Sequence, residues 1–186
     1  MHPVFASLAA AAISFAPANY ATSGREGVQK AILASATSSR VQLSALESQL
    51  LGKINLTRGR RGLRPLRLSA RLTAAANQHS ASMAAKGYFS HDSANGGSFF
   101  KRIASFYTYR GYSNWSAGEN LLYSSPDIDP VGALRMWMNS PEHRANLLDR
   151  SWREVGLSAV HAASAPGVYG GDEVTIVTAD FGFRTR

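Results

Sequence analysis

The sequence of 186 residues contains no cysteine. Disulfides and thiolate metal sites are therefore excluded, and a fold placed in an oxidising compartment must be held by its core alone. Any metal ion would have to be bound by His, Asp, Glu or water. No segment reaches the ~18 consecutive apolar residues of a membrane-spanning helix. No repeat at a fixed period is present, which excludes solenoid and propeller architectures. Charge is modest, at 17% charged against 45% hydrophobic residues, a balance that suits one globular domain with a sizeable core. Acidic residues are the scarcer sign: 12 Asp and Glu against 20 Lys and Arg leave a net charge of +8.

What is present begins with an uncharged start. Residues 1–18 hold no Lys, Arg, Asp or Glu, and the apolar stretch 4–16 runs into Ala16-Pro17-Ala18, a small-x-small pattern. This reads as a secretory signal, although only His2 stands where a basic n-region is usual. Residues 19–40, rich in Ser, Ala and Gly, read as a linker or loose helix, with the folded domain expected over 41–186. The protein is expected to be secreted or periplasmic, and monomeric. Much of the positive excess lies in Arg58, Arg60, Arg61, Arg64, Arg67 and Arg71. For an exported protein, an anionic envelope surface met by Arg58, Arg60, Arg61 and Arg64 is the expected partner. A solvated helix end plus loop is the plainer reading of the same cluster. No aromatic residue interleaves these arginines, so nucleic acid is not expected.

The periodicity then gives elements. Leu43, Leu46, Leu50, Leu51 and Ile54 recur at helical spacing and predict a helix over 41–57, ended by Gly59, Gly62 and Pro65. Ser69 caps a second helix running to Lys86 and stopped by Gly87. Its apolar stripe contains His79, which is expected to be a satisfied core or rim residue rather than a ligand. A short helix is possible over 98–106, and 119–123 reads as a short strand. Asp129-Pro130 starts a helix through Trp137, and Ser140-Pro141 starts another ending near Leu148. The alternating segments 155–161 and 174–183 read as an antiparallel hairpin joined by the loop 162–172. Helices first and strands last, without a βαβ rhythm, predict an α+β layered domain.

Three polar motifs interrupt this apolar sequence. They are Phe89-Ser90-His91, Gly118-Glu119-Asn120, and Ser140-Pro141-Glu142-His143-Arg144-Ala145-Asn146. Imidazoles and carboxylates bind metals or move protons near neutral pH. Glu119 enters an apolar segment, so it needs a charged or hydrogen-bonding partner, and either histidine could serve. On a helix, Ser140 and His143 share a face, as do His143 and Asn146, whereas Glu142 points a quarter-turn away. The expected cleft therefore comprises His91, Glu119 and His143, with Ser140, Glu142 and Asn146 beside them.

In order and spacing, these motifs resemble the CAP superfamily of cysteine-rich secretory, antigen 5 and pathogenesis-related proteins. The pattern also takes in Trp137 ahead of Ser140 and the late Val155-Gly156-Leu157. The upstream Ile54-Asn55, Arg58 and Gly62-Leu63, with Pro65-Leu66, are similar to its cysteine-free bacterial branch. The resemblance implies a three-layer α-β-α sandwich with an antiparallel central sheet. It also implies a cleft of two histidines and two acidic residues. His91, Glu119 and His143 match three of these; the fourth position is Ser140, which is not acidic. Two imidazoles oriented by Glu119 would hold a divalent ion such as zinc only weakly, with water completing the shell. The expected function is a secreted binding module for a lipid, peptide or cell-wall ligand. The alternatives are a metal-assisted hydrolase using Glu119, His143 and Ser140, and a polar cluster that is purely structural.

Overall fold

The computed structural model describes residues 43–186, together with the backbone of Ile13–Phe15. The expected leader and linker otherwise lie outside the described residues. In chain order the elements are β1 (Ile13–Phe15), α1 (Ala45–Gly59), β2 (Arg67–Leu68), α2 (Ala70–Lys86), α3 (Phe99–Phe106) and β3 (Asn114–Ser124). They continue with α4 (Pro130–Asn139), α5 (Pro141–Leu147), β4 (Glu154–Ala162) and β5 (Val174–Thr185).

The helices begin where the capping residues place them. Ser44 and Glu47 form a reciprocal capping box at the start of α1, satisfying donors that the first turn cannot pair internally. Ser69 accepts from the Leu72 N–H at the start of α2, and Gly87 ends that helix with φ +68°. That left-handed turn is open to glycine at little cost. A side chain there would also strike Pro166, since an added Cβ would lie 2.5 Å from its carbonyl oxygen. Asp129 caps α4 through the Gly132 N–H.

The sheet order is β1-β3-β5-β4-β2. β1–β3, β3–β5 and β5–β4 pair antiparallel, but β2 joins β4 in parallel. The sheet is therefore mixed rather than wholly antiparallel, because the short strand β2 enters from the α1–α2 connection beside β4. β3 is also longer than the expected 119–123. Every residue of it after Asn114 is buried, so the period-2 alternation that marks a half-exposed strand is missing from its first half.

Helices α2 and α3 cover one sheet face, and α1, α4 and α5 cover the other. The α-β-α sandwich expected from the sequence is the observed architecture. The layer beneath α1, α4 and α5 is one apolar core built on Trp137, Trp152, Leu50, Ile54, Leu147 and Phe181. Each fully buried side chain of this kind contributes ~1.5–3 kcal/mol. The opposite layer holds two separate apolar clusters. One gathers Met83, Leu121, Tyr123 and Ile176; the other gathers Leu72, Ala75, Ile103, Tyr107 and Trp115. Between them lies a polar band, in which Ser80 bonds Thr178 at 2.8 Å and Ser158 bonds Asn77 at 2.9 Å. α2 approaches the sheet closely here. A Cβ on Gly156 would lie 2.0 Å from the Leu72 backbone, so only glycine fits.

One expectation about the surface is corrected. Arg58 is fully buried and does not belong to the basic face. Its Nη1 donates to the carbonyls of Leu147 and Asp149 at 2.8 and 3.0 Å, and its Nε to that of Arg64 at 3.0 Å. The guanidinium ties the end of α1 to the α5–β4 connection by supplying donors to carbonyls that lack helical partners. Arg60, Arg61, Arg64, Arg67 and Arg71 are exposed.

Candidate functional site

Side chains alternate across a strand, so Glu119 and Asn120 on β3 serve opposite faces of the sheet. Asn120 faces α5, where its Nδ2 donates to the His143 carbonyl at 3.0 Å. Asn146 donates to Asn120 Oδ1 at 2.9 Å and to the Glu119 carbonyl at 3.1 Å. Glu119 points into the polar band of the α2–α3 layer. It is fully buried, so its charge must be matched there.

Two elements supply the match and a third, neutral one lies beside it. His91, from the loop after α2, places Nδ1 2.7 Å from Glu119 Oε1. Arg102, from α3, forms a short ion pair with Oε2 and donates from Nη1 to the His91 carbonyl at 3.0 Å. His79, from α2, lies 3.9 Å from Oε2, with its Nε2 2.8 Å from the Ser90 carbonyl oxygen. Asp180 of β5 stands directly opposite Glu119 in the strand register, and its Oδ1 is 3.8 Å from Arg102 Nη2. Cross-strand partners share a face. Two buried carboxyls thus meet a single guanidinium.

The electrostatics follow from that count. Burial raises the pKa of Glu119 to about 7, against the opposing pull of Arg102. Burial also holds Asp180 well above the usual carboxylate range, with the Glu119 charge adding to the rise. One proton is retained on the pair because two adjacent buried charges are not balanced by one cation. Burial, and then Arg102, lower His79 to about 3, so it is neutral at physiological pH.

Above this cluster opens a cavity of about 420 Å³ between α2 and the segment leading into α3, lined by Arg102 and His79 with Gln78, Ser82, Lys86 and Lys101 among others. Its size suits a small ligand.

The family pattern described as the cysteine-rich secretory protein family, CAP, matches residues 51–181. The chain belongs to the CAP family. The CAP chain is similar to the protein YkwD of Bacillus subtilis, 34% identical over 128 residues, which cover 69% of this chain and 48% of that one. It is also 32% identical over 112 residues to the membrane protein YlbC of the same organism, covering 60% of this chain and 30% of that one. The CAP chain thus spans half or less of the length of these relatives. Among solved structures, an extracellular protein containing an SCP domain from Bacillus anthracis superposes with TM-score 0.55 and 27% identity. That match covers 79% of this chain and 45% of the other. An outer surface protein of Borrelia burgdorferi shares the fold, with TM-score 0.60 and 17% identity over 78% of this chain and 97% of that one.

Within the CAP fold, the structure brings only some of the motif residues together. His91 and Glu119 are in contact, as expected. His143 is buried on α5 and has Nδ1 2.7 Å from Ser140 Oγ. Ser140 occupies the N-cap position of α5 yet makes no side-chain capping bond; its hydroxyl serves His143 and donates to Glu142 Oε2 at 3.3 Å. Glu142 is exposed. Asn146 braces β3, and Trp152 Nε1 donates to its carbonyl and its Oδ1. Two members of the cluster carry no signal in the motifs. Arg102 lies in a short helix of undistinguished sequence, and Asp180 lies in the last strand. Asp180 was open to the argument used for Glu119, being a carboxylate set in an apolar run.

Glu119 itself offers no uncommitted oxygen to a divalent cation. Both carboxylate oxygens are engaged, one by an imidazole and one by a guanidinium. The Nδ1 of His91 and the Nε2 of His79 are likewise committed. Among the described residues, no group of three or more His, Asp or Glu side chains is arranged to hold a metal ion.

Proposed function

We propose that this CAP domain acts outside the cytoplasm as a recognition module for a component of the cell envelope, working by binding rather than by turnover. The observation that carries this reading is the commitment of Glu119. A carboxylate that activates water needs a free oxygen toward it, and both oxygens of Glu119 are held by His91 and Arg102. No cysteine is available as a nucleophile.

Two further features support an envelope partner. The likeness to an extracellular SCP-domain protein agrees with the signal-like start. Residues 48–91 contain eight Lys and Arg and no Asp or Glu, a number equal to the net charge of the chain. With Arg58 buried, the exposed Arg60, Arg61, Arg64, Arg67 and Arg71, from the end of α1 to the start of α2, supply positive charge suited to an anionic wall or membrane surface. One feature favours the hydrolase alternative: Glu119, raised to about 7 beside His91, has the proton affinity of a general acid.

Cosedimentation with purified peptidoglycan sacculi separates the readings. The binding reading expects saturable, salt-sensitive association without release of soluble fragments. Time-dependent release of fragments, lost in Glu119→Gln, would overturn it.

A further inference from the structure

We propose that the cavity between α2 and the segment leading into α3 is a binding site for a small ligand bearing an anionic oxygen group, held by Lys86, Lys101 and Arg102. The group is a carboxylate, as on a peptide or sugar acid, or a phosphate. This inference rests on the binding reading above and names the ligand chemistry of that module.

Charge is the first argument. Three of the side chains lining the cavity are cationic; Arg102 is already paired with Glu119, so Lys86 and Lys101 carry the net charge, and among the described residues none lining it is acidic. Asp92 is the nearest acid in sequence; it is exposed and outside the lining. His79 also lines the cavity and adds no charge. Low-dielectric walls carrying one sign of charge concentrate the opposite sign.

A buried, unused donor is the second. Arg102 has a side chain only 4% exposed, and two of its three nitrogens are spent on the His91 carbonyl and Glu119. Its Nε–H is buried with no acceptor among the described residues. An unpaired donor on a buried cation is costly, and an anion in the cavity that Arg102 lines would be drawn to that charge. The third argument is the start of α3. Ser98 also lines the cavity and stands at the N-cap without a side-chain capping bond. The Lys101 N–H bonds the Ser98 carbonyl, which leaves the Phe99 and Phe100 N–H groups without a side-chain cap, and the helix dipole favours a negative group nearby. Gln78, Ser82, Asn95 and Tyr88 complete the lining with neutral hydrogen-bonding groups, as expected for a ligand with polar substituents.

The two Nη atoms of Arg102 are engaged by the His91 carbonyl and Glu119, so Lys86 and Lys101 act as separate point donors. Recognition then depends on charge more than on planar shape, which suits either oxyanion.

The test is an amide chemical-shift titration of the full ¹⁵N-labelled chain. The probes are N-acetyl-alanine, its neutral amide, and inorganic phosphate, compared at constant ionic strength. Saturable shifts at Asn95, Ser98 and Lys101 are expected with at least one anion, and none with the amide. Response to N-acetyl-alanine alone identifies a carboxylate site, and response to phosphate alone a phosphate site. In Lys86→Gln/Lys101→Gln, whose changes lie on exposed side chains, affinity should fall about tenfold or more, as for loss of two point charges. Absence of saturable shifts with both anions would overturn the proposal, as would equal binding of the amide or an unchanged affinity in the double variant. These failures are distinct from failure of the binding reading. Sacculus association without turnover can persist through the basic face when the cavity takes no anion.

Discussion

Replacing Asp180 by Asn should remove a specific slope from the pH dependence of stability. Asp180 and Glu119 both have folded-state pKa values raised above those of the unfolded chain. A raised carboxyl means that the folded state binds more protons, so its stabilising contribution is complete below the unfolded pKa and is lost as pH rises through the folded pKa. Glu119, at about 7, completes that loss near neutrality. Asp180 stands well above its ordinary range and continues to lose it. His79 behaves oppositely: its lowered pKa contributes stability above about 6.5 that is lost only on acidification. Above neutrality, Asp180 is therefore the main contributor for as long as it holds its proton. While it keeps its proton, stability falls by ~1.4 kcal/mol per pH unit. For a domain of this size that is ~3–5 °C in Tm per unit. Thermal unfolding at pH 7, 8 and 9 should show Tm falling with pH in the wild type and a flatter profile in Asp180→Asn. A flat wild-type profile, or an unchanged slope in the variant, would refute the shared-proton description of the pair.

Other consequences follow from the same contacts. Arg102→Ala leaves two buried carboxyls without their cation and should cost ~3–5 kcal/mol in denaturant unfolding; the double change Glu119→Gln/Arg102→Met should recover part of that loss. Gly156→Ala drives a methyl into the α2 backbone at 2.0 Å, so the chain should fail to give a cooperative thermal transition. Arg58→Ala leaves the carbonyls of Leu147, Asp149 and Arg64 without a donor and should cost on the order of 1–3 kcal/mol or more. The exposed neighbour Arg60→Ala should stay within ~0.5 kcal/mol of wild type by the same assay.

The limits of sequence reading here are physical. Caps are local chemistry, so Ser69, Gly87, Asp129-Pro130 and Ser140-Pro141 marked helix ends correctly. β3 was read too short because burial on both faces erases alternation from its first residues. The sheet was read as antiparallel because β2 contributes only two residues, too few to carry a pattern. At the site, Glu119 announced itself as a carboxylate in apolar surroundings with either histidine as its partner, and the structure seats His91 there. Arg102 and Asp180 reach Glu119 only through tertiary packing and strand register, which no local spacing encodes. Arg58 illustrates the same limit from the other side. Its acceptors at Leu147 and Asp149 lie about ninety residues away in the chain, so composition grouped it with exposed arginines.

The central claim is that Glu119 is neutralised by the chain's own Arg102 and is not available to a metal ion. Calorimetric titration of the purified wild-type chain with zinc tests it most directly. The account predicts the same zinc isotherm for the wild type and for Glu119→Gln. One equivalent of zinc bound by the wild type, and lost in both His91→Ala and Glu119→Gln, would contradict it.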